Sequence, residues 1–156
     1  MWLKSWPPLA LKTAAEQSLQ TAILAQLGAA SPDFGEIRRL LDEVQRSGVR
    51  LDQAAVSFAL QGLLQRLSDK LRELPDSTKV LQALLDAVVL STTPPYTVDL
   101  WRTQNAFYEL QQTLYREKVQ RSQQSSSESQ RTFTWLRLFA QLGDRLSIRL
   151  PPSTNK

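Results

Sequence analysis

The chain has 156 residues, 42% of them hydrophobic and 22% charged, which suits one domain with its own core and excludes wholesale disorder. It contains neither Cys nor His, so disulfides, thiolate nucleophiles, imidazole acid–base catalysis and the usual zinc ligand sets are excluded. The net charge of +4 is unevenly spread: residues 101–156 hold nine Lys/Arg against four Asp/Glu, residues 1–50 six against five, and residues 51–100 four against six.

Such a tilt can attract an anionic partner through the C-terminal third. The basic residues are dispersed along helices with no Lys/Arg run, so the reading is a solvated basic face, and nucleic acid is not an expected partner. No stretch reaches the ~18–20 apolar residues that span a bilayer, so no membrane association is expected. In the opening "MWLKSWPPLALKTAAEQ", Lys12 and Glu16 interrupt the apolar run, and it does not read as a signal peptide. The absence of Cys suits a reducing compartment, and a cytoplasmic location is the expectation.

In chain order, the apolar period is helical almost throughout. A first helix is predicted from Pro7-Pro8, where proline tolerates a helix start, to Leu27 before Gly28. "DFGEIRRLLDEVQRSG" predicts a second: Asp33 caps it, Glu36 three residues on completes a capping box, and Gly48 ends it. A third runs from Asp52 to about Leu74, stopped by Pro75. Its Val56, Leu60, Leu63, Leu64, Leu67, Leu71 and Leu74 form one apolar arc, while Leu51, Ala54, Ala55, Phe58 and Gly62 make the other side of its first half apolar too. A helix apolar on both sides belongs in the middle of a bundle, with Gly62 admitting a neighbouring backbone.

A fourth helix is predicted over about 77–91, before Pro94-Pro95, and a fifth from near Asp99 to about Gln120. The polar, low-complexity "RSQQSSSESQ" at 121–130 reads as a loop, and a sixth helix covers about 131–143. After Asp144, Leu146, Ile148 and Leu150 alternate with Arg145, Ser147 and Arg149, which is strand-like. Such a strand could pair weakly with "MWLKSW" or with the sheet edge of another domain; otherwise 145–150 is an extended segment over the helices. The fold expected is therefore all-α, a single bundle of about six helices over residues 1–150 with a short extended C-terminal segment and a tail at 151–156.

The fifth helix carries the candidate site. With Leu100 set to zero and about 100° per residue, Leu110, Leu114, Phe107, Leu100, Tyr115, Tyr108 and Trp101 form one broad apolar arc. Gln111 falls near ~20° and Gln104 near ~40°, inside that arc, with Asn105 near ~140°, one turn after Trp101. Buried amides need partners, since an unpaired one costs about 1–3 kcal/mol. The first reading is that Gln104 and Gln111 are satisfied core residues. The second is that Trp101, Gln104, Asn105, Tyr108 and Gln111 line a ligand or interdomain contact, where rings stack and amides bond a sugar.

No catalytic residue, cofactor site or metal site is expected. The pairs Asp42/Glu43 and Asp69/Glu73 read as solvated helix faces beside Arg and Lys. No G-x-x-x-x-G-K-[ST], G-x-G-x-x-G or G-x-S-x-G occurs, and the chain has five glycines in all.

The succession "PPLALKTAAEQSLQ", "GVRLDQAAVSFALQGLLQRL" and "VDLWRTQNAFYELQQTLY" resembles the C-terminal helical region, of unknown function, of large bacterial proteins related to glycoside hydrolase family 57. The resemblance covers roughly residues 7–150, with "LWRTQNAFYEL" its most specific part and the Ser-rich loop a local departure. In that family the catalytic carboxylates and histidines belong to an N-terminal barrel, so no catalytic residue carries over. What the resemblance implies is an accessory domain of carbohydrate metabolism, cut from a longer enzyme or encoded separately, that packs on a catalytic barrel and shapes its cleft for an oligosaccharide. Trp101, Gln104, Asn105, Phe107 and Tyr108 match the motif, to which the family assigns no role. The alternative is a stand-alone interaction protein that docks an anionic partner through the basic C-terminal third.

Overall fold

The computed structural model describes residues 9–123 and 129–148, and these form an all-α bundle. Helices α1 (Leu9–Gly28) and α2 (Phe34–Ser47) are followed by α3 (Gln53–Glu73) and α4 (Thr78–Ser91). The next rod is composite: α5 (Trp101–Leu110), a π turn (Gln111–Tyr115) and α6 (Arg116–Ser122) run directly into one another, and α7 (Ser129–Arg145) comes last. The "MWLKSW" segment, residues 124–128 of the Ser-rich stretch, and the tail from 149 lie outside the described residues.

Local chemistry sets most helix ends. Asp33 Oδ1 accepts the Glu36 N–H at 3.0 Å, Asp52 Oδ1 the Ala55 N–H at 3.0 Å, and Ser77 Oγ the Val80 N–H at 3.2 Å. Each satisfies one of the N–H groups that a helix start leaves without a partner. The capping box at Asp33 is only half built. The Glu36 carboxylate is held by Arg39 at 2.6 Å, and the Asp33 N–H donates to Gln26 Oε1 of α1 at 3.1 Å, which ties the start of α2 to its neighbour. Gly48, at φ 67°, ends α2 by returning its N–H to the Val44 carbonyl.

Helix α3 is central: it packs on α1, α4 and α5, and α4 packs in turn on α7. Val56, Leu60, Leu63, Leu64, Leu67 and Leu71 are buried as their spacing predicts, whereas Leu74 at the frayed end is exposed. The second apolar side is covered only in part: Leu51 packs against the core and Ala55 and Gly62 are half-buried, while Ala54 and Phe58 are exposed. Phe58 is 82% exposed, and a Cβ on Gly62 would meet only the flexible Arg66 guanidinium, at 3.5 Å. The glycine that admits a neighbour is Gly143 of α7, where a Cβ would stand 2.9 Å from Phe107 Cζ and 3.3 Å from the Ile148 carbonyl oxygen.

Helices α3 and α5 run parallel, since their bonded positions rise together. The Gln61 amide both donates to and accepts from the Asp99 backbone at 2.8 Å, the Ser68 and Thr103 hydroxyls meet at 3.0 Å inside the core, and Arg72 holds Glu109 at 2.9 Å.

The strand-like reading of 145–150 is corrected as far as 148, with 149 and 150 outside the described residues. Arg145 is still helical. Ser147 then turns left-handed at φ 59°, its N–H returning to Asp144 O at 3.2 Å and the Ile148 N–H to Gly143 O at 2.9 Å. These two bonds define a Schellman cap. Leu146 is buried and Ile148 packs against the core because the reversal turns both inward, so the alternation in the sequence is the signature of a helix end.

Candidate functional site

Helix α5 buries a narrower face than its aromatics suggest. Thr103, Ala106, Phe107 and Leu110 point into the core, and the small Thr103 and Ala106 let α3 come close. Trp101 and Tyr108, expected within the apolar arc, are instead 63% and 57% exposed. They stand seven residues apart, so their side chains share one face about 10 Å apart along the axis. Gln104 and Asn105 lie half-buried between them. Trp101, Gln104, Asn105 and Tyr108 thus form one stripe of two rings flanking two amides. Gln111 does not join it: it is buried on the core side.

The two glutamines also differ in partners. Gln104, expected to be largely buried, is half-buried, and its Nε2 donates to the Leu146 carbonyl at 3.2 Å, clamping the cap of α7 against α5. No hydrogen bond of the Gln111 amide is found among the described residues, although only 7% of the residue is exposed. The stripe is held rigidly from behind. Its first turn is pinned by Asp99, whose Oδ1 accepts the Trp101 N–H at 2.9 Å and whose backbone is held by Gln61.

Behind α5 a column of rings fills the seam with α7. Phe107 stacks on Phe139 at 4.1 Å between centroids, Phe139 on Trp135 at 4.7 Å, and Tyr115 on Phe139 at 5.3 Å. A π turn has more residues per turn than an α-helix, so each residue advances by less than 100°. The turn at Gln111–Tyr115 thereby rotates the rod back toward α7, which is where Tyr115 finds Phe139.

Beyond Trp135 the column ends in charge. The Trp135 Nε1–H donates to the Pro75 carbonyl at 2.9 Å, and Lys118 Nζ lies over the ring at 5.3 Å from its centroid. Lys118 is only 7% exposed and pairs with the Asp76 carboxylate in the α3–α4 loop. Lys118 and Asp76 border a cavity of about 840 Å³ between the start of α4, α6 and α7. Sequence reasoning missed this feature because Lys79 and Lys118 are far apart along the chain; the basic tilt of the last third was the one available sign.

Elsewhere the carboxylates behave as solvated helix faces. Glu43 pairs with Arg39 at 3.3 Å and Asp69 with Arg72 at 3.3 Å. Among the described residues no group of three or more acidic side chains is placed to hold a metal, and no helix is long and apolar enough to cross a membrane.

The class that the fold and site define is an all-α bundle carrying an exposed ring-and-amide stripe on one rigid helix. No family model, curated protein or solved structure matches the chain.

Proposed function

We propose that this chain is a non-catalytic helical accessory domain of a carbohydrate-active protein like those of glycoside hydrolase family 57, and that the Trp101–Tyr108 stripe is its docking face for the catalytic barrel. One observation carries the reading: two large rings, 63% and 57% exposed, stand on a single face of a helix whose opposite side is locked into the core. Exposed aromatics on a rigid element are the anchors from which interfaces are built, because their large area is presented with little side-chain entropy left to lose. The half-buried Gln104 and Asn105 between them supply the amide donors and acceptors that such an interface, or a saccharide reaching it, requires.

The test is co-expression with a family-57-like barrel encoded in the same reading frame or beside it. A complex that survives gel filtration, and that the Trp101→Ala/Tyr108→Ala double variant loses while keeping its melting temperature, supports the reading. No such neighbouring barrel, or a complex indifferent to both substitutions, overturns it. Titration with oligosaccharides that perturbs Trp101 in the isolated chain would instead mark the stripe as a sugar site.

A further inference from the structure

We infer that the cavity between the N-terminus of α4 and helices α6 and α7 is a binding site for the phosphate group of a small phosphorylated molecule. It is a different surface from the Trp101–Tyr108 stripe and stands or falls independently of it.

The start of α4, a helix of 14 residues, supplies the first element. Ser77 Oγ satisfies the Val80 N–H and the Ser77 carbonyl takes that of Leu81. The N–H groups of Thr78 and Lys79 have no acceptor in the helix, as the first turn always leaves them, and the helix dipole adds partial positive charge there. Both residues line the cavity.

The second element is charge that nothing among the described residues neutralises. Four cations line the cavity: Lys79, Lys118, Arg121 and Arg131. Lys118 is paired with Asp76 and Arg121 with Glu117. Lys79 and Arg131 have no carboxylate partner among the described residues. Among the described residues the cavity therefore keeps a surplus of two positive charges, matching the charge of about −1.5 to −2 on a phosphate monoester at neutral pH.

The third element is Thr132. It is 7% exposed, it lines the cavity, and its hydroxyl has no hydrogen-bond partner among the described residues. A hydroxyl that opens onto a basic cavity from an otherwise buried side chain, with no partner among the described residues, is a donor available to an anionic oxygen. Asp76 is the one opposing group, and its pairing with Lys118 holds that cation at the site until an anion replaces the carboxylate. At about 840 Å³ the space exceeds what a lone phosphate needs and falls within the ~300–1,000 Å³ range of small-molecule sites, so an organic body is expected on the phosphate.

The experiment is an amide-resolved NMR titration of the full chain with inorganic phosphate and with phenyl phosphate, at constant ionic strength. Saturable shifts confined to Thr78, Lys79, Thr132 and their neighbours are expected, with phenyl phosphate binding more tightly. Lys79→Ala should weaken binding by on the order of tenfold, the loss of one charge-assisted contact. Thr132→Val should weaken it several-fold without lowering the melting temperature, and Asp76→Asn should tighten it. Unsaturable shifts spread over all surface Arg and Lys, or saturable binding that neither Lys79→Ala nor Thr132→Val changes, would overturn the assignment. Binding of inorganic phosphate that is as tight as that of phenyl phosphate would overturn the organic-body part of it.

Discussion

Gly62 and Gly143 are both interior helical glycines, and the structure assigns their alanine variants opposite effects. In a helix, Gly→Ala gains about 1 kcal/mol, because Gly surrenders more backbone freedom on folding. At Gly62 nothing opposes that gain, since the new Cβ meets only Arg66 Nη1 at 3.5 Å, and Gly62→Ala should stabilise by about 0.5–1 kcal/mol. At Gly143 the Cβ would sit 2.9 Å from Phe107 Cζ, and that ring is fully buried and stacked at 4.1 Å on Phe139. The ring cannot retreat without disturbing the column, and the Ile148 carbonyl at 3.3 Å blocks the other direction. Overpacking of this kind costs about 1–3 kcal/mol, and with the helix gain of about 1 kcal/mol set against it Gly143→Ala should lose up to about 2 kcal/mol net. For a chain of this size that lowers Tm by roughly 2–4 °C per kcal/mol, readable by thermal melts followed by circular dichroism. In a double-mutant cycle, Phe107→Leu should relieve the clash and give a coupling of at least about 0.5 kcal/mol. A Gly143→Ala chain as stable as the parent, or additive with Phe107→Leu, would refute the close contact.

Ser147 holds the left-handed position of the α7 cap at φ 59°, so Ser147→Gly should raise stability by about 0.5–1 kcal/mol in a urea melt. Gln104→Ala should cost about 0.5–1.5 kcal/mol by removing the bond to the Leu146 carbonyl, whereas Gln111→Leu, replacing a side chain that is 7% exposed and whose amide has no protein partner among the described residues, should be neutral or stabilising by the same assay. Burial raises the Tyr96 phenol above its usual value near 10. The neutral form is therefore favoured on folding, and its contribution is complete below the unfolded value and lost as the pH rises through the folded one. Tyr96→Phe should leave stability at neutral pH nearly unchanged and flatten its decline above about pH 10 in alkaline melts.

What could be read in the sequence is what local chemistry decides. Asp33, Asp52 and Ser77 cap helices because a carboxylate or hydroxyl three residues before an orphan N–H is a local event, and Pro75 ends α3 for an equally local reason. The Leu spacing of α3 likewise foretold its buried arc. What the sequence hid was tertiary. Gly62 and Gly143 carry the same local signal, and only the pairing of α5 with α7 tells which one another ring approaches. On α5, hydrophobicity placed Trp101 and Tyr108 on the apolar arc, while burial tracked Thr103 and Ala106, the small residues on the face that meets α3. That pair was the available signal, and reading it would have turned the aromatics outward. The π turn has no mark in "QQTLY" that propensity would reveal.

The cap of α7 fixes where the chain leaves the bundle. Because Gln104 grips the Leu146 carbonyl and Ser147 reverses the backbone, Ile148 departs from beside the helix that bears Trp101 and Tyr108. A substitution that undoes this cap would therefore loosen the end of α7 and the Gln104 side of the ring-and-amide stripe together.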